Sequence, residues 1–208
     1  MDKKCNRLCQ MFEQTGTGQN GIIIYSDLLL DYIKEHYPKF YFVSSTTKVL
    51  DDFPQCKKEI DREDFSYVVP DFRLNKALEQ WQTLSQEQKD KVEFLCNECC
   101  SIGCQERKAC YEAVSRKSLG LEGREHQCKA ANAAEGYRFS KAMKSPAFIG
   151  INDIQNIYLP MGFSQFKIEG RGLGSALILE FLLYYMTKPE YQLQVREAIY
   201  LDNMLDLF

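Results

Sequence analysis

The sequence predicts an α/β fold on parallel strands, a (β/α) barrel of the TIM type in incomplete or shortened form. Three observations lead there. Short apolar runs alternate with helical segments, as expected for parallel strands buried on both faces and joined by helical crossovers. Strand after strand ends in polar or charged residues, namely Ser44 and Ser45, Asp71 and Arg73, Asn97 and Glu98, Glu169 and Arg171. In barrels of this kind the working site lies at the carboxyl ends of the strands. Only five or six strand–helix units fit in the 208 residues, whereas a complete barrel has eight and typically about 250 residues. The expectation is one barrel-like domain over residues 1–208, a shortened barrel or the C-terminal part of a longer one. Its open parallel edge is a liability that a partner chain would cover.

The elements follow in order. Residues 4–14 read as the end of a helix that feeds a first strand at 21–25, Gly-Ile-Ile-Ile-Tyr. Ser26-Asp27 supplies an N-cap for an amphipathic helix at 28–36, which Pro38 ends. Residues 40–43, Phe-Tyr-Phe-Val, form the second strand, and a short helical or turn segment follows. The third strand spans 65–69 and stops at Pro70-Asp71. Residues 75–90 carry helical spacing around Leu78, Trp81 and Leu84. The fourth strand, 92–95, runs into a cysteine segment, and a helix is expected over 104–116. Residues 118–136, rich in Gly, Lys and Glu, read as a loop. A short strand at 147–149, a helix at 152–159, a strand at 166–168 and helices at 174–187 and 190–204 complete the chain.

With 45% hydrophobic and 26% charged residues the chain is not disordered. A net charge of -3 gives no electrostatic reason to expect nucleic acid as the main partner, although a local groove can still bind RNA or a small molecule. No stretch approaches the roughly 20 apolar residues that span a bilayer. The best, 176–186, contains Glu180, and the polar N-terminus lacks the apolar core of a secretory signal. A cytoplasmic protein is expected.

Nine cysteines is a high, odd number for that compartment, where clustered thiols point to metal ligation before disulfides. Cys96, Cys99, Cys100, Cys104, Cys110 and Cys128 fall in one region. Thiolates bind soft or borderline metals, and four complete a tetrahedral site or hold a cubane cluster. Cys100 and Cys104 are spaced for a turn, Cys110 lies about two helical turns further on, and Cys128 returns from the loop. These four are the expected ligands of a [4Fe-4S] cluster or, alternatively, zinc, with Cys99 as the main substitute. The spacing is neither that of a zinc ribbon nor of a radical enzyme using adenosylmethionine, because Arg107 stands where the latter needs its third cysteine. Cys96, in or next to a strand, fits the competing role of a small buried apolar side chain.

The other polar strand ends also have two readings. Glu169 and Arg171, in Phe-Lys-Ile-Glu-Gly-Arg-Gly, reach the site face, where Arg171 can clamp a carboxylate or phosphate and Gly172-x-Gly174 can add an anion site. Equally, they form a buried Lys–Glu–Arg network. Asp71 and Arg73 offer a carboxylate and a cation, or a helix cap at Asn75 with a solvated arginine. Residues 44–48 bind a polar substrate or satisfy loop backbone groups. Glu98, beside the cysteines, is placed to act as a base or to orient a ligand.

The Lys167-Ile168-Glu169-Gly170-Arg171 element, Asn97-Glu98 with Cys100-x3-Cys104, and the alternating architecture resemble the collagenase-like peptidase family U-32. The resemblance runs from Gly21 to the C-terminus. It implies a (β/α)-barrel-like catalytic domain, and iron–sulfur relatives that assist hydroxylation of RNA bases or of quinone precursors. Cys100, Cys104 and Cys128 would match that family's ligands, with the fourth left among Cys110, Cys99 and Cys96. Arg73, Glu98, Glu169 and Arg171 would line the site. A zinc-stabilised binding module without catalysis is the alternative. A peptidase is third, because the sequence shows neither a nucleophile triad nor a His-Glu-x-x-His motif.

Overall fold

Gly21–Ile24 (β1) pairs in parallel with Tyr41–Ser44 (β2), Ile24 beside Ser44. Tyr67–Val68 (β3) adds to the other side of β2. Glu93–Leu95 (β4) and Gln165–Lys167 (β5) make a second parallel pair, Phe94 beside Phe166. A single parallel bridge, Val68 to Val92, joins β3 to the start of β4. The computed structural model describes residues 2–15, 20–123, 126–130, 133, 136–170 and 174–205.

The barrel expectation is thereby corrected. Among the described residues there are two small sheets, of three and two strands, and no closed barrel. Closure requires every strand to have two neighbours, but β1 and β5 have one each. The apolar run at 65–69 suggested a longer third strand, yet only Tyr67 and Val68 pair along it, and Pro70, which has no N–H to give, stops it.

Helices fill the connections. Lys3–Thr15 (α1) precedes β1, and Asp27–His36 (α2) buries Leu30 and Ile33. Ser26 occupies the cap position of α2 without a side-chain cap bond. Phe53–Ile60 (α3) starts where the Asp52 carboxylate accepts from the Gln55 N–H at 3.2 Å. The one helix expected over 75–90 is two, Leu78–Gln82 (α4) and Gln86–Asp90 (α5). The break has a local cause: the Ser85 hydroxyl accepts from Gln88 N–H, and the Gln88 side chain accepts from Ser85 N–H, a capping box that starts a new helix. Arg107–Ser118 (α6) follows the cysteine segment, and Phe139–Ala142 (α7) is a turn of helix with no sequence expectation. Ile151–Asp153 (α8) widens into a π turn at Ile154–Tyr158. Residues 147–149 pair as no strand, although Ile149 N–H donates to Cys96 C=O at 3.0 Å. Ser175–Met186 (α9) and Gln192–Leu205 (α10) close the chain. No helix among the described residues is long and apolar enough to cross a membrane.

The core is aromatic. Trp81, fully buried, meets Phe53, Phe94 and Phe163 edge-on at centroid distances of 5.0, 5.1 and 6.1 Å, the arrangement ring quadrupoles prefer. Its indole N–H donates to Leu74 C=O at 2.7 Å. Asn75, one residue on, is no N-cap; it ends the 3-10 turn Phe72–Leu74, its buried amide donates to Leu95 C=O at 2.8 Å and Ala147 C=O at 2.9 Å, and Tyr158 O–H donates to Asn75 C=O at 2.6 Å. This knot fixes the end of β4 against the 147–158 segment. Trp81→Ala should therefore cost about 3–5 kcal/mol, the range for emptying a buried aromatic site. Urea unfolding followed by circular dichroism checks it.

Candidate functional site

The carboxyl ends of β3, β4 and β5 deliver Asp71, Glu98 and Glu169 to one neighbourhood, and α6 brings Arg107 down on them. Arg107 is 4% exposed and Asp71 wholly buried. The Arg107 Nη2 donates to Glu98 Oε2 at 2.5 Å, and its Nε stands 3.2 Å from Asp71 Oδ2. That second contact is an ion pair out of hydrogen-bond alignment, so neither atom has a hydrogen bond among the described residues. The guanidinium also lies over the rings of Phe72 and Tyr111, at 4.7 and 5.0 Å. Burial opposes its charge, but Glu98 and Asp71 hold it above the usual arginine value. The other oxygen of Glu98 accepts from the N–H groups of Cys99 and Cys100, at 2.9 and 2.8 Å.

Asn97 ties β4 to β5. Its side-chain oxygen accepts from Glu169 N–H at 2.8 Å, and its amide donates to Glu169 C=O at 3.2 Å. Tyr137 O–H donates to Asn97 C=O at 2.8 Å and sits 2.9 Å from the same amide. Gly170 follows at φ 124°, a conformation L side chains avoid, and turns the chain away directly after Glu169. Glu169 is thus set beside Glu98. Burial first, and then the charge on Glu98 and a hydrogen bond to it, raise the Glu169 carboxyl from 4.5 to about 8. Near neutral pH the Glu169 carboxyl therefore keeps its proton.

Of the expected residues, Glu98 and Glu169 come together. Arg73 turns to structure: Nε donates to Asp71 at 2.6 Å, and Nη1 reaches Asp51 at 3.0 Å and Cys104 C=O at 3.1 Å. Ser44 is spent likewise, donating at 2.6 Å to Glu59, which also takes Lys48 at 2.6 Å. Arg171 and Gly172 lie outside the described residues. Arg107, the hub, had entered the sequence reading only as the residue occupying a missing cysteine's place. Nothing local to it marks a buried cation, because its partners lie nine and 36 positions away.

The thiols form a row. Cys100 feels Cys104, and Cys110 feels both Cys104 and Cys128. Burial and these neighbours push the Cys110 thiol up, and burial, Glu98 and Cys104 push Cys100 to about 11. Cys96, buried between strands, rises to about 12, as suits the apolar role expected of it. No three His, Cys, Asp or Glu side chains among the described residues converge as a metal site. As placed, the thiols do not fit a four-thiolate cluster.

A cleft of about 240 Å³ opens at this centre, lined by Glu98, Cys99, Cys100, Cys128, Tyr137 and Lys141 among others. No family model matches the chain, and no curated protein or solved structure matches it.

The Glu169 shift makes stability depend on pH. The raised carboxyl contributes stability that is complete below about 4.5 and lost as the pH rises through about 8. Urea midpoints should fall between pH 5 and pH 9, windows set on either side of that rise. Glu169→Gln, which keeps the shape and cannot ionise, should flatten that part of the profile, and an unchanged slope would contradict the placement.

Proposed function

We propose that this chain is an acid–base protein that moves a proton to or from a small polar molecule held in the cleft beside Glu98. The observation that carries this reading is two carboxyls in one buried neighbourhood, of which Glu169 is raised to about 8. Glu98 lines the cleft and is the group that touches substrate. Glu169 is a positioning residue that stays protonated beside Glu98. Arg107 and the Cys99 and Cys100 N–H groups fix the Glu98 carboxylate, so little reorganisation accompanies transfer. The test is a turnover screen of small hydroxy and keto acids, with Glu98→Gln and Glu169→Gln run in parallel. Turnover should fall by about 10²–10⁴ in Glu98→Gln and decline in the parent above about pH 8, a limb that Glu169→Gln lacks. Turnover that both variants retain would overturn the reading.

A second reading is favoured by the thiol row: a thiophilic metal drawn onto Cys104, Cys110 and Cys128, with Cys100 beside them. Supporting it is the placement of Cys128 and Cys104 near Cys110, whose thiol is pushed up by burial and by these neighbours. The resemblance to family U-32 implies such a centre, as a [4Fe-4S] cluster or zinc. Elemental analysis of anaerobically purified protein should find bound iron or zinc that Cys110→Ser loses. Metal-free protein would leave the thiols as packing.

A further inference from the structure

A second cavity, of about 540 Å³, opens on the same face of the parallel strands, over the ends of β1 and β2. Tyr25, the residue after β1, and Thr47, in the turn after β2, form one side. Helix α6 packs on that turn and supplies the opposite wall with Lys108, Tyr111, Glu112, Ser115 and Arg116. In open α/β sheets, ligands bind outside the carboxyl ends of the strands.

The lining has a definite chemistry. Two phenol rings face the space, Tyr25 about half exposed and Tyr111 half-buried with its ring backed by Arg107. Neither hydroxyl has a hydrogen-bond partner among the described residues. Lys108, Glu112 and Arg116 recur every fourth residue along α6, on one face of the helix, yet they form no ion pairs with one another. Lys108 has no ionic partner among the described residues, and Arg116 uses one nitrogen, on Glu122 C=O at 2.6 Å. Two cations against one carboxylate leave the wall with a net positive charge of one. That suits a single anionic group better than a polyphosphate.

We propose that this cavity binds a planar aromatic anion, its ring against Tyr25 and Tyr111 and its anionic group on Lys108 and Arg116. The rings supply stacking area, the free hydroxyls meet polar ring substituents, and the cations neutralise the charge. The site is separate from the Glu98–Glu169 pair, and its occupancy is measured without turnover, so either can fail alone.

The experiment is calorimetric titration of the full chain with phenyl phosphate, set beside inorganic phosphate and benzyl alcohol. Phenyl phosphate should bind at least about tenfold more tightly than either fragment, because ring and charge act together. Lys108→Glu and Tyr25→Ala, both at exposed positions, should each weaken it about fivefold or more with circular dichroism unchanged. Glu169→Gln should leave it unaltered. Equal binding of phenyl phosphate and inorganic phosphate would overturn the proposal. So would parental affinity in both folded variants, and if one variant does not fold the other decides.

Discussion

A buried guanidinium between two carboxylates holds the far end of this molecule together. Arg107 reaches Glu98 at the end of β4 and Asp71 at the end of β3, so the two sheets, joined in the backbone by one bridge, are joined again through side chains. Taking such charges out of water costs several kcal/mol per ion unless each finds partners. Here Arg73 shares Asp71 and two backbone N–H groups share Glu98. Remove either carboxylate and Arg107 keeps a charge without sufficient compensation. The cysteine segment and α6 hang on this network, and both cavities take a wall from α6 or from the residues it anchors.

The carboxyl and sulfur chemistries of the site are therefore coupled. The N–H groups that Glu98 gathers belong to Cys99 and Cys100, and Arg73 grips the carbonyl of Cys104. The backbone of the thiol row is shaped by the ion network, while the sulfurs remain neighbours that do not converge. The raised Glu169 carboxyl beside Glu98 needs no change in that arrangement. Gathering of the thiols on a metal would require their sulfurs to converge.

The positions of most strands were legible in the sequence, because short apolar runs mark them. β1, β2, β4 and β5 fall within a residue or two of the runs at 21–25, 40–43, 92–95 and 166–168. Closure was not legible, since apolar runs report burial and say nothing of how many strands meet. The split of α4 from α5 was carried by Ser85 and Gln88, a signal weaker than the continuous spacing of Leu78, Trp81 and Leu84. Glu98 and Glu169 come together because each follows one of the paired strands β4 and β5. Arg107 was missed because a cation on a helix usually faces water, and only its distant partners reveal otherwise. The N-cap reading of Asn75 gives way for the same reason: its side-chain acceptors, Leu95 and Ala147, are remote in sequence.

The strands lie side by side in the order in which they leave the ribosome, β1 to β3 and then β4 to β5. Each newly made strand meets an edge that already exists, and no later segment has to be threaded between earlier ones. Such a sheet can assemble by accretion during synthesis, with the crossover helices shielding each finished edge while the next strand is made. The buried guanidinium follows β4 and precedes β5, so the ion network can tie β4 to the three-stranded sheet before the last strand is made.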